Sequence, residues 1–213
     1  MLRIYYTELP EDVLLDEKNI PLSFYRRERL RKVKAPAVRR QMLCAELLLI
    51  QAVREWSFEA VVPLEIQEGE KGKPGFVSLP LFFSLSHSGP FIACALSDHD
   101  VGIDIQKRSG YRESLAKRCF SDRERRYLEK CTDRDAVFTE IWCLKESYLK
   151  ATGEGITRPM SDFSLAFDDP LTLADSDDVR FWQRMDARYH LAVCTLNGGV
   201  PDPDRIVKAE LRP

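Results

Sequence analysis

Between residues 37 and 56, Val38, Met42, Ala45, Leu49, Ala52, Val53 and Trp56 fall on one stripe at helical spacing. This is the strongest helical signal in the first half of the chain, and Pro36 suits its first turn because the missing N–H would be unpaired there anyway. Before it, the basic segment 22–34 predicts a helix that ends near Pro36, and residues 2–6 alternate enough for a first strand. Val61–Ile66 reads as a strand, followed by Glu68-Gly-Glu-Lys-Gly-Lys-Pro-Gly75, a loop by its glycines and proline. Strands at about 81–85, 90–96 and 100–105, broken by His-Ser-Gly-Pro and Ser-Asp-His-Asp, predict an antiparallel meander.

The second half repeats this plan. Ser121-Asp122-Arg123-Glu124 is a capping-box pattern that opens a short helix to about Lys130. Thr132 is placed to cap a long helix over about 134–152, with Gly153 as its C-terminal stop. Strands follow near 163–167, 179–184, 189–196 and 206–211. Pro90-Phe-Ile-Ala-Cys-Ala-Leu is echoed by Tyr189-His-Leu-Ala-Val-Cys-Thr-Leu, each after a long amphipathic helix. With the matching element order, the echo predicts an α+β fold made of two similar halves, 1–101 and 102–213. Each half is a long helix on a small, mostly antiparallel sheet.

Composition changes this picture little. The 213 residues are 44% hydrophobic and 31% charged, with a net charge of -2, which gives no global pull toward nucleic acid or anionic membrane. Neither a signal peptide nor a run of about 20 apolar residues is seen, and Cys44, Cys94, Cys119, Cys131, Cys143 and Cys194 lack metal-ligand spacing. A reduced, cytoplasmic protein that binds neither membrane nor nucleic acid is expected.

Two stretches carry candidate chemistry. Asp104 and Gln106 lie at i and i+2 on an apolar strand and share a face, while Ile103 and Ile105 face the other way. Glu146 and Lys150 lie one helical turn apart. Carboxylates set into apolar elements are costly unless a cation or a hydrogen-bond network meets them. Taken together, the two stretches look like half of a magnesium and phosphate site. Each also has a plain reading: a Glu146–Lys150 salt bridge on a solvated face, and a turn carboxylate at Asp104. His87, between serines, suits phosphate oxygens or is a turn histidine. Lys71-Gly-Lys-Pro74 is a basic loop that is equally an ordinary surface. The basic run from Arg26 to Arg40, opposed only by Glu28, is either a solvated helix face or an anion-binding rim.

With Gly72-Lys73-Pro74, Phe83-Ser-Leu-Ser-His-Ser88, Val101-Gly-Ile-Asp-Ile105 and Trp142-Cys-Leu-Lys-Glu-Ser-Tyr-Leu-Lys150 in this order, the chain resembles the 4'-phosphopantetheinyl transferases of the larger, single-chain class. That resemblance implies a pseudodimeric fold in one chain, hence a monomer. It also implies transfer of phosphopantetheine from coenzyme A to a serine of an acyl or peptidyl carrier protein, releasing adenosine 3',5'-bisphosphate. Magnesium would be held by Asp104 and Glu146, with Gln106 where many members carry a third acid. Lys150 would neutralise diphosphate oxygens, and Glu146 is the favoured group to take the serine proton. Ser86 and His87 match phosphate-contacting positions, Gly72, Lys73 and Pro74 the loop beside the nucleotide, and Arg26 and Arg29, with Arg40 less securely, the 3'-phosphate. Lys107, Arg108, Arg112, Lys117 and Arg118 are expected either to steer an acidic carrier or to form an exposed basic loop. A catalytically silent, coenzyme A- or carrier-binding homologue is the alternative, with Gln106 as its sequence support.

Overall fold

The computed structural model describes residues 1–9, 15–57, 60–155, 158–167, 171–197 and 205–210. Its helices are α1 (Phe24–Lys32), α2 (Pro36–Trp56), α3 (Glu113–Cys119), α4 (Asp122–Lys130) and α5 (Arg134–Thr152). The strands are β1 (Leu2–Glu8), β2 (Ile66–Glu68), β3 (Pro74–Phe76), β4 (Phe82–Ser88), β5 (Phe91–Ser97), β6 (Val101–Lys107), β7 (Leu165–Ala166), β8 (Thr172–Leu173), β9 (Val179–Met185), β10 (Tyr189–Leu196) and β11 (Ile206–Lys208).

Seven of these strands form two main sheets, and β2–β3 and β7–β8 pair separately. The first has the order β11-β1-β5-β4 and the second β6-β10-β9. Tyr5, Ile92, Cys94 and Leu96 pack on Leu48, Leu49, Ala52 and Val53 of α2. Their strand neighbours Ile4, Tyr6, Ala93 and Ala95 turn the opposite way, onto Ile103, Ile105, Leu191 and Val193 of the second sheet. Beyond that sheet, Ala192, Cys194 and Phe181 pack on Ile141, Leu144 and Leu149 of α5. The result is four layers, helix–sheet–sheet–helix, and strands buried on both faces read as the near-continuous apolar runs seen in β5 and β10.

Most expected elements are present, with the capping box at Ser121 and Glu124 and a left-handed Gly153 (φ 72°) ending α5. The meander is not. β5 already pairs with β1 and β4 on its two edges, so β6 has no backbone partner there and joins β10 instead. Val61–Ile66 is not a strand: Val61 is exposed, and Pro63 has no N–H to donate to a ladder. The hairpin β2–β3 forms beyond it, with the glycine loop as its turn. Asp133, not Thr132, caps α5 by accepting from Ala136 N, and α3 has no side-chain cap to announce it. Strand 206–211 is shorter than expected, with residue 211 outside the described residues, and it lies parallel to β1 in the first sheet. All six cysteines are free, and among the described residues no helix is long and apolar enough to cross a membrane.

The second half also contains a fully enclosed ion pair. Lys145 Nζ donates to both Glu124 oxygens and to Phe163 O, each at 2.7 Å, and Glu124 further accepts from Ser121 N and Leu165 N. With so many partners the buried charges are compensated, and α5 is pinned to α4 one residue before Glu146.

Candidate active site

The even positions of β6 face α5. Gly102 touches the helix backbone, where an added Cβ would lie 2.0 Å from Ser147 O, so nothing larger fits. This close approach sets Asp104, two residues on, against the Glu146–Lys150 turn. The Asp104 carboxylate is buried and fully bonded. Its Oδ1 accepts from Lys150 Nζ at 2.6 Å and from Ser86 Oγ at 2.7 Å, and its Oδ2 from Gln106 Nε2 at 2.8 Å. Lys150 therefore does not form the plain helical pair with Glu146. It crosses to β6 and also donates to Ser86 Oγ at 2.9 Å.

Burial first, and the nearby Asp104 charge second, raise the Glu146 carboxyl above the usual range, with Lys150 opposing them. Two carboxylates from distant parts of the chain thus sense each other at one place. Among the described residues no third acid, histidine or cysteine completes a metal-binding cluster. The donors are two carboxylates, oxygen ligands that suit a hard cation such as magnesium that keeps several waters.

A groove of about 710 Å³ opens beside this cluster, walled by α1, the β2–β3 hairpin, β4 and the end of α5. Arg26, Arg29, Gly72, Lys73, Pro74, His87 and Lys150 line it, as do Lys32 and Lys71, and among the described residues Glu68 is the only carboxylate in its wall. Arg26 is anchored by Nε to the buried Glu46 at 3.0 Å. Lys73 Nζ is held by Asp100 at 3.0 Å and by Ala151 O at 2.7 Å. Partial burial first, then the charges of Lys150 and Arg26, lower the His87 imidazole from its usual range, although its side chain remains exposed in the groove. The groove suits a polyanion.

Of the expected site residues, Ser86 differs in placement. It is buried, and its hydroxyl bonds Asp104 and Lys150 rather than lining the groove. Arg40 does not line the groove either. Gln106 meets Asp104 through its amide nitrogen, while its Oε1 accepts from Ser88 Oγ at 3.3 Å. Sequence reasoning missed Glu46, an acid on the buried face of α2, and the part played by Ser84, Ser86 and Ser88. These serines recur every second residue on one face of β4. Ser84 Oγ accepts from Ile103 N, and Ser88 Oγ from Lys107 N, so hydroxyls join the two sheets where no ladder does.

Behind the cluster, His190 sits opposite Gln106 in the β6–β10 register. Its Nε2 donates to Gln183 Oε1 at 2.9 Å, Gln183 donates on to Glu140, and Nδ1 is buried without a partner. Burial lowers its pKa from 6.5 to about 4. Between those two values the unfolded chain binds the extra proton and the folded chain does not. Stability is therefore full above pH 6.5 and falls as the pH drops toward 4, by about 3 kcal/mol. Urea denaturation across this range should show that slope in the native protein and a flatter one in His190→Gln; equal slopes would exclude His190 as its source.

Asp104 on β6, and Glu146 and Lys150 on α5, thus lie beside a groove lined mainly by cations. The family model of the 4'-phosphopantetheinyl transferase superfamily matches residues 100–194, the stretch that holds Asp104, Glu146 and Lys150. The 4'-phosphopantetheinyl transferase psf-1 of Bacillus pumilus is 30% identical over 198 residues, covering 89% of this chain and 85% of that protein. A 4'-phosphopantetheinyl transferase of Bacillus subtilis is 35% identical over 140 residues, 60% of this chain and 61% of that protein, so the chain spans under two thirds of this relative's length. A solved holo-(acyl-carrier-protein) synthase from Bacillus anthracis str. Ames, in complex with CoA (3',5'-ADP), aligns with a TM-score of 0.40 at 22% identity, covering 46% of this chain and 94% of that one. The chain belongs to the 4'-phosphopantetheinyl transferase superfamily.

Proposed function

We propose that the chain moves 4'-phosphopantetheine from coenzyme A to a serine of an acyl or peptidyl carrier protein, releasing adenosine 3',5'-bisphosphate. One observation carries this reading. Asp104 on β6 pairs with Lys150 on α5 beside the basic groove, one helical turn from Glu146. The groove takes the nucleotide phosphates on Arg26, Arg29 and His87, with the loop at Gly72, Lys73 and Pro74 flanking the adenine nucleotide. Asp104 and Glu146 would hold magnesium, which when bound neutralises charge on the diphosphate as its bond to the leaving group breaks. Gln106 and Ser86 orient Asp104, and Lys150 offers its ammonium to diphosphate oxygens. The raised proton affinity of Glu146 supports its taking the serine proton, directly or through water.

The carrier approaches past the end of β6. Arg108 and Lys117 there already meet Asp133 and Glu113. Lys107, Arg112 and Arg118 have no carboxylate partner among the described residues, and they are the cations left to steer an acidic helix. Residues 1–101 and 102–213 form two halves of a pseudodimer. Their shared sheet-on-sheet core takes the place of a subunit contact, which supports a monomer. Incubation with coenzyme A, magnesium and several apo-carriers, followed by intact mass measurement, tests the proposal. Gain of the phosphopantetheine mass on a carrier is expected. Tight coenzyme A binding with no mass gain on any carrier would overturn it in favour of a silent homologue.

A further inference from the structure

We propose that Lys150 is a counter-ion handed from the metal acid to the diphosphate, so that the divalent ion and coenzyme A bind with positive coupling. This rests on the reading of Asp104 as a metal ligand. Three of the cations that line the groove are held differently. Arg26 is fixed by Glu46, and Lys73 by Asp100 and a helix carbonyl. Lys150 is paired with Asp104, the acid a metal would claim.

Asp104 Oδ1 already carries both the Lys150 ammonium at 2.6 Å and the Ser86 hydroxyl at 2.7 Å, and Oδ2 carries the Gln106 amide. A divalent cation that takes this carboxylate must displace a donor or share an oxygen with one. Ser86 and Gln106 are neutral and short. Lys150 is the donor whose charge opposes the metal, and its four-carbon stem lets it swing away. Part of its side chain is exposed, and it lines the groove. Displacement therefore leads toward the space the diphosphate would enter, with Ser86 Oγ, 2.9 Å from Nζ, holding the ammonium at the point of exchange. Metal binding releases the lysine for phosphate, and phosphate draws the lysine away from the metal ligand. Linkage requires the coupling to be the same measured from either side.

Calorimetric titration with Mn²⁺ tests this, on the protein free and saturated with coenzyme A. In the unaltered chain, coenzyme A should tighten Mn²⁺ binding. Lys150→Met should bind Mn²⁺ alone roughly tenfold tighter, while the coenzyme A-loaded variant changes little, so the coupling shrinks. Lys150→Arg should retain the coupling, and Lys150→Gln should follow Lys150→Met if the latter folds poorly. Unchanged Mn²⁺ affinity in free Lys150→Met, or an equal rise in the free and loaded forms, would overturn the handover. Asp104→Asn separates the two readings. Its retention of full Mn²⁺ affinity would remove the metal assignment itself. Its loss of affinity, beside an indifferent Lys150→Met, would remove the handover alone.

Discussion

On the proposed reading, Asp104→Ala should lower carrier modification by at least about a thousandfold, since it removes the proposed metal ligand and the anchor of Lys150 together. Gln106→Ala should retain measurable transfer. The Gln106 amide contributes a hydrogen bond to Asp104 Oδ2 but no charge, and its own oxygen is taken by Ser88. Loss of one orienting contact leaves the acid pair and the ammonium in place. Initial rates at saturating magnesium and coenzyme A, with circular dichroism to confirm folding, separate the two variants. Equal and complete loss in both would show that Gln106 is a required ligand rather than an orienting group.

Gly102→Ala should have the largest effect on folding of any single added methyl in the site. The new Cβ would lie 2.0 Å from Ser147 O, 2.4 Å from Ala151 N and 2.9 Å from the Lys150 carbonyl carbon. All three are backbone atoms, so no rotamer change relieves the overlap, and α5 must lift from β6. A loss of about 3 kcal/mol is expected, at the upper end for overpacking. The helix that lifts carries Glu146 and Lys150, so activity per folded molecule should fall as well. An unchanged denaturation midpoint would mean that the helix is not seated on the strand as described.

Much of this was legible in the chain before its fold was known. The stripe from Val38 to Trp56 and the capping box at Ser121 are local signals, and local chemistry decided the outcome. Asp104 and Glu146 were readable because each is an acid in an apolar element, an arrangement that needs a partner. What could not be read depended on distant pairing. The departure of β6 from the meander follows from β1 filling the second edge of β5, ninety residues earlier in the chain. The Glu146–Lys150 spacing suggested a pair within the helix, but the lysine reaches further to an acid on another strand. Lys145, next to Glu146 in sequence, gave no hint that it would be wholly enclosed on Glu124.

Strand β4 is a shared wall with different work on its two sides. Phe83, Leu85 and His87 look into the groove, while the hydroxyls of Ser84, Ser86 and Ser88 clasp β6 and, through Ser86, the metal acid. Any tilt of one half against the other would shear that row of hydroxyls and drag His87 away from Asp104. A hinge motion would have to break these hydrogen bonds. On the proposed reading, the wall sets the spacing between nucleotide and reacting centre, and adjustment falls to long side chains such as Lys150.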